Sequence, residues 1–186
     1  MTGQRDGERD RDADRARRFR DLALPHLDAV YTLARYLLRN AADAEDAVQE
    51  CYLRALRHFD TFRGGDIKPW LFAILRNVCR ATYARGSLNL VEEIDDSSQS
   101  VWQEDAGTPE TAALRQHDDA TVRRLVSELP AQFREVIVLR EINDLSYREI
   151  ADIARAPVGT VMSRLARARA MLRTAWNAAT AAEEPK

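Results

Sequence analysis

From Arg155 to Arg173 the chain carries five arginines, at 155, 164, 167, 169 and 173, and no acidic residue. Within that run stand Gly159, Thr160, Met162, Ser163, Arg164, Ala166 and Arg167. Arginine and serine can hydrogen-bond base edges and phosphate oxygens, and small residues let a helix approach a duplex closely. At about 100° per residue, Val161, Leu165, Ala168 and Leu172 share one narrow apolar sector, and Gly159, Thr160, Ser163, Ala166 and Arg167 fall opposite. The chemistry on offer is recognition of a DNA groove rather than bond making. An ordinary charged surface helix would share the arginines, but not an acid-free set placed behind a capped helix and a proline.

A second set follows Phe59 and Phe62: Arg63, Lys68, Trp70, Arg76, Asn77 and Arg80. Aromatic rings interleaved with cations suit single-stranded DNA, because rings stack on bases and cations hold phosphates. A helical aromatic more commonly packs inside, which is the expectation for Phe72, while Trp70 fits either role. A third set, Asp46, Gln49, Glu50 and Arg54, is left over once the apolar positions of its helix are assigned, and serves solvent or a partner. No catalytic residue is expected. There is no nucleophile–base pair and no Gly-x-x-x-x-Gly-Lys-Ser/Thr phosphate loop. His26, His58 and His117 lack ligand spacing, so neither a metal nor a cofactor is expected. Cys51 and Cys79 read as thiols rather than a disulfide.

The elements that position these residues are helices. Ser146 and Glu149 form a capping box, Ile150, Ala151 and Ile153 give the next turns a buried side, and Pro157 suits the first position of a second helix. Upstream, Leu24, Leu27, Val30, Tyr31, Ala34, Leu37 and Leu38 keep the spacing of a buried helical face over 19–39. Asp43 is expected to cap the following helix, whose apolar side is Ala47, Val48, Cys51, Ala55, Leu56 and, in part, Leu53. Gly64 and Gly65 break the chain into a loop, Asp66 can cap the helix after it, and Leu71, Ile74, Leu75 and Val78 suit a core. Thr108, Pro109 and Glu110 read as a helix start. After the Leu129-Pro130 break, Phe133, Val136, Ile137, Leu139 and Ile142 mark a buried helix.

Composition agrees. Of 186 residues 45% are hydrophobic, and no run of alternating β-branched residues is long enough for a strand. No apolar stretch approaches a membrane span or a signal peptide, so a cytoplasmic protein without membrane insertion is expected. The net charge of −2 hides a division. Residues 1–86 hold 16 basic and 13 acidic side chains, residues 87–119 hold 1 and 9, and residues 120–186 hold 11 and 8. Two weakly basic units are thus joined by an acidic connector. The expectation is an all-α protein: a disordered arm over 1–18, a helical domain over 19–86, a flexible acidic linker over 87–119, a helix-turn-helix domain over 120–176 and a frayed tail over 177–186.

Ser-Tyr-Arg-Glu-Ile-Ala from 146, then Pro-Val-Gly-Thr-Val-x-Ser-Arg-Leu-x-Arg-Ala-Arg from 157, resembles region 4 of the bacterial extracytoplasmic-function sigma factors, group IV of the sigma-70 family. Met162 stands where that family usually has Lys or Arg, and Arg155 where Gly is common. Asp-Ala-Glu-Asp-x-Val-Gln-Glu-x-Tyr-Leu-Arg-Ala from 43 resembles region 2 of the same family, in the right order.

The resemblance implies a non-enzymatic initiation factor whose partners are core RNA polymerase, through the β′ clamp helices and the β flap, and promoter DNA. An anti-sigma factor, in a stress or envelope response, is implied as a further partner. Asp46, Gln49, Glu50 and Arg54 would face polymerase. The loop and helix carrying Arg63, Lys68, Trp70, Arg76, Asn77 and Arg80 would read and open the −10 element, with an extruded base held by the loop. The Gly159–Arg167 face would read the −35 element. Glu92, Glu93, Asp95 and Asp96 would mimic nucleic acid in the polymerase channel. The alternative is a helix-turn-helix regulator that binds DNA without polymerase, its N-terminal half a sensor or dimerisation domain.

Overall fold

The computed structural model describes residues 3–38, 40–89 and 112–183, and among them there are helices and no strand. The expected acidic linker, its four candidate acids and the helix start at Thr108 lie largely or wholly outside the described residues. The chain divides into two compact units, Met1–Asn89 and Leu90–Lys186.

The first unit begins with α1 (Gly3–Ala23), a 3₁₀ turn at Leu24–His26, and α2 (Leu27–Leu38). The disordered arm expected over 1–18 is thus helical from Gly3 onward. Acids standing three or four residues before arginines, as in Asp12–Arg15 and Asp14–Arg18, support a helix. Phe19 then anchors it, buried edge-on against Tyr52 and Phe59 with ring centroids 6.2 and 5.4 Å away. The Tyr52 hydroxyl donates to the Ala23 carbonyl at 2.9 Å, satisfying an acceptor at the end of α1. Pro25 has no N–H to continue the ladder, and the break falls there.

Helices α2, α3 (Ala41–Arg57) and α4 (Ile67–Asn89) pack on one another. In this packing Val30, Leu33 and Ala34 of α2, Ala44, Ala47, Cys51 and Ala55 of α3 and Leu71, Phe72 and Leu75 of α4 are all buried. The small residues along α3 let it seat close to its neighbours. The Cys51 thiol donates to the Leu71 carbonyl across that seam at 3.5 Å. Burial, with Cys79 nearby as a second cause, pushes the Cys51 thiol up to about 12. As expected, Phe72 is core.

Several sequence expectations shift here. Leu24 and Leu27 are exposed, at 48% and 41%, while Leu33 and Tyr36 are buried. The proline break gives α2 its own phase, so Leu24 before it does not extend the apolar stripe, and Leu27, the first residue of α2, faces solvent. Leu53 is also exposed, and Tyr31, Leu37, Leu56 and Ile74 are half-buried. The cap of α3 is Asn40, not Asp43: the Asn40 side chain accepts from the N–H groups of Ala42 at 2.9 Å and Asp43 at 3.4 Å. Asn caps as well as Asp, and Ala41 and Ala42 are strong helix formers, so the helix starts earlier. The cap expected at Asp66 is present, with Oδ1 accepting from the Lys68 N–H at 2.9 Å.

The second unit comprises α5 (Ala112–Glu128), α6 (Ala131–Ile137) running into a π-helical turn at Val138–Ile142, α7 (Tyr147–Ala154) and α8 (Val158–Glu183). Arg134 is buried because its guanidinium donates to the carbonyls of Ser127 at 2.7 Å and Leu129 at 3.0 Å, closing the C-terminal end of α5. The wide turn shifts the register at the end of α6. Asn143 goes inside and donates to the Val138 carbonyl at 3.0 Å, while Ile142, expected in the core, is 43% exposed. Phe133 is half-buried. The tail expected to fray from 177 is helical through Glu183, as its alanines favour.

Candidate nucleic-acid interfaces

The helix-turn-helix pair is built as its residues dictate. The Ser146 hydroxyl accepts from the Glu149 N–H at 3.3 Å, and the Ser146 N–H donates to Glu149 Oε2 at 2.7 Å, which completes the capping box. Ile150, Ala151, Ile153 and Ala154 bury the inner side of α7. Its C-terminus closes in a Schellman pattern, with the Ala156 N–H donating to the Ala151 carbonyl at 3.0 Å. Arg155 takes the left-handed position at φ 48°, ψ 50°. A side chain is disfavoured there, so this arginine strains a turn that glycine would not. Pro157 then precedes α8, its carbonyl accepting from Thr160 and Val161 at 2.9 and 3.1 Å.

On α8, Val161, Leu165 and Ala168 are buried, while Leu172 is half-buried. Of the candidate −35 residues, Gly159, Met162, Ser163, Ala166 and Arg167 are exposed, and Thr160 and Arg164 are half-buried. A Cβ added at Gly159 would meet no heavy atom within 4 Å, so nothing inside the fold demands glycine there. Ser163 donates to the Thr160 carbonyl at 3.0 Å, which leaves its hydroxyl oxygen outward as an acceptor. Arg169 turns away from the set. Its Nη2 pairs with Glu141 Oε1 at 2.6 Å, so an acid from the π-helical turn answers one of the five arginines.

In the first unit, Gly64 and Gly65 have φ of 87° and 88°, which only glycine adopts readily, and they turn the chain between Phe62 and α4. Trp70 is half-buried and rests against Phe62, centroids 5.5 Å apart, and Phe62 stacks on Phe59 at 6.0 Å. Trp70, Asn77 and Arg80 follow one line of α4, the last two exposed. Lys68 stands off that line, Arg76 lies one turn before Arg80, both are half-buried, and the Lys68 ammonium lies 5.7 Å from the Phe72 ring centre. Arg63 is exposed in the loop.

On α3, Asp46 and Gln49 line a groove of about 500 Å³ together with Glu45, Val48 and, from α2, Leu27, Asp28 and Tyr31. Glu50 and Arg54 form an (i, i+4) ion pair. The α2 residues of this groove were hidden in the sequence, because helical spacing assigned Leu27 and Tyr31 to the core. A second cleft, of about 580 Å³, lies between α1 and the glycine loop, and its α1 side was hidden by the charge pattern. Cys51, neutral at ordinary pH, offers no nucleophile. Among the described residues no His, Cys, Asp and Glu cluster could hold a metal, and no helix is long and apolar enough to cross a membrane.

Comparison with known proteins shows the family. Residues 22–89 match the Sigma-70 region 2 family and residues 119–172 match Sigma-70, region 4. The chain is 32% identical over 160 residues to the RNA polymerase sigma-H factor of Pseudomonas aeruginosa, covering 82% of this chain and 83% of that one. It is 35% identical over 147 residues to the ECF RNA polymerase sigma-E factor of Haemophilus influenzae, covering 75% and 77%. Among solved structures, the sigma factor RpoE in complex with the anti-sigma factor NepR from Bartonella quintana is similar with a TM-score of 0.68 at 29% identity, covering 86% of this chain and 96% of that one.

Proposed function

We propose that this chain, which belongs to the extracytoplasmic-function sigma factors of the sigma-70 family, confers promoter selectivity on core RNA polymerase. The observation that carries the reading is the face of α8. Gly159, Ser163, Ala166 and Arg167 are exposed on a helix whose other side is locked to a capped α7, and the fold has no use of its own for the glycine. That face reads the −35 element. The Phe62–Trp70 contact, with Arg63 beside it and Asn77 and Arg80 further along α4, receives the −10 strand, with Lys68 and Arg76 supporting from the flank. Opening the duplex needs only preferential binding of the separated strand. Unstacking costs a few kcal/mol per base, and stacking on aromatics returns about 1–3 kcal/mol each.

Asp46, Gln49, Glu50 and Arg54 face polymerase, and the adjoining groove with Leu27 and Tyr31 extends that surface. Residues 1–86 and 120–186 are each only weakly basic, so free DNA binding is weak and polymerase supplies the linkage that makes both contacts simultaneous. The factor makes and breaks no covalent bond, works in the cytoplasm where polymerase is, and is held in check by an anti-sigma factor. The regulator alternative gives the region 2 match no role.

Run-off transcription with purified core polymerase, with and without this chain, on a genomic promoter library tests the reading. Initiation at a defined set of sites only when the chain is present is the expected result. Duplex binding without polymerase, and no effect on initiation, would favour the regulator instead.

A further inference from the structure

The cleft of about 580 Å³ beside the glycine loop has two walls of different origin. One is the loop itself, with Phe59, Asp60, Phe62, Gly64 and Gly65. The other is α1, with Asp14, Arg15, Arg18 and Leu22. Of the α1 residues only Leu22 falls inside the region 2 match, which begins there. The other three belong to a part of this chain that the family pattern does not describe.

Arg15 fastens that wall. Its Nη2 donates to the carbonyls of Leu56 at 2.7 Å and Arg57 at 3.0 Å, and its Nε lies 3.2 Å from Asp60 Oδ1. One side chain therefore holds α1 to the end of α3 and to the start of the loop. Phe19 seats the same helix against Phe59. Asp14 and Arg18, one turn apart, are exposed and line the cleft. The loop side offers ring surface from Phe59 and Phe62. A Cβ at Gly64 or Gly65 would meet nothing within 4 Å, so the rim is open.

We propose that α1 forms one wall of the pocket that takes an extruded −10 base, and that Asp14 and Arg18 read the edge of that base. The proposal rests on the reading of the Phe59–Asp66 loop as the −10 contact and deepens it by naming the base class. An extruded base exposes its Watson–Crick edge. A carboxylate accepts from an exocyclic amine, and a guanidinium donates to a ring nitrogen or carbonyl. Adenine and cytosine place an amine beside a bare ring nitrogen, and guanine places an amine and a carbonyl on either side of its ring N–H, so an amine-bearing base answers this acid and base set side by side. Thymine has no amine to offer Asp14. Arg15 is a positioning residue and touches no base.

The test uses the full chain assembled with core polymerase, transcribing a template pool in which every −10 position is randomised. Transcript sequencing then gives the base preference at each position. Wild type should favour an amine-bearing base over thymine at one position. Asp14→Ala and Arg18→Ala should each flatten that preference by about 5- to 100-fold, the range one good base contact provides. Preferences at the other −10 positions and at the −35 element should stay put. Both side chains are exposed, so the variants should melt like wild type, which circular dichroism checks. An unchanged profile in both variants overturns the proposal, as does a uniform loss at all positions or a preferred thymine at the position affected. If the wild-type holoenzyme selects promoters but shows no −10 base preference, the loop reading fails and the α1 wall falls with it. If it selects no promoter, the sigma-factor reading itself fails.

Discussion

Arg169 and Glu141 form a two-pronged contact, with Nη2 at 2.6 Å and Nε at 3.1 Å from the same carboxylate oxygen. The pair ties the middle of α8 to the π-helical turn, and both side chains are about half exposed. An ion pair in that setting stabilises by at most about 1 kcal/mol. Glu141→Gln should therefore cost no more than that in a urea melt. It should also release a cation near the proposed −35 face, steepening the salt dependence of promoter binding by the holoenzyme.

Arg155 adopts a backbone conformation that costs a side-chain-bearing residue about 1 kcal/mol or more. Arg155→Gly should raise stability by roughly 0.5–1 kcal/mol, with an unchanged urea m-value. A variant less stable than wild type would mean that the arginine side chain holds the turn by contacts outweighing the strain.

Gly159 separates stability from function. Gly159→Ala has open space for its methyl group, and alanine is the better helix former by up to about 1 kcal/mol. The melting temperature should hold or rise while use of the cognate −35 element falls several-fold in run-off transcription. Arg167→Ala should weaken −35 discrimination by about 1–3 kcal/mol, as loss of one base contact would. Selectivity equal to wild type in both variants would remove this face from the −35 contact.

Arg134 closes the end of α5 from inside the second unit. Arg134→Met keeps much of the length but leaves the Ser127 and Leu129 carbonyls without those donors. A loss of roughly 2–4 kcal/mol is expected, read from thermal and urea unfolding.

Cys51 supplies a pH dependence. Burial raises its thiol from 9.0 to about 12 in the folded chain. Between those values the unfolded chain loses the proton that the folded chain keeps, so stability falls as pH rises. The contribution is fully present below pH 9 and is lost toward pH 12. Cys51→Ala should flatten that alkaline decline. Native protein at pH 8 should resist iodoacetamide at Cys51 until denaturant is added.

The sequence made some of this legible and hid the rest for physical reasons. The capping box at Ser146, the inner stripe of α8 and the burial of Phe72 are local or strictly periodic, and they stand where spacing put them. The order in α1 was hidden because its anchors, Arg15 and Phe19, act on residues some forty positions away. The cap at Asn40 was hidden because two good cap residues stood three apart. Ile142 was misplaced because a π-helical turn leaves no mark in a 3.6-residue pattern. The two candidate DNA faces were legible in residue chemistry and the candidate polymerase face only through family resemblance; accessibility is what the fold adds: Asp46, Gln49, Arg63, Asn77, Arg80 and Arg167 are all open to solvent.

The inward edge of α3 is Ala44, Ala47, Cys51 and Ala55, side chains too short to adopt alternative arrangements. A stave with such a flat inner edge does not have to re-fit its neighbours when its outer edge is rewritten. Asp46 and Gln49, both exposed, can thus be altered one position at a time without loosening the helices behind them. Solvent-facing chemistry and structural integrity are inscribed on opposite sides of the same rod.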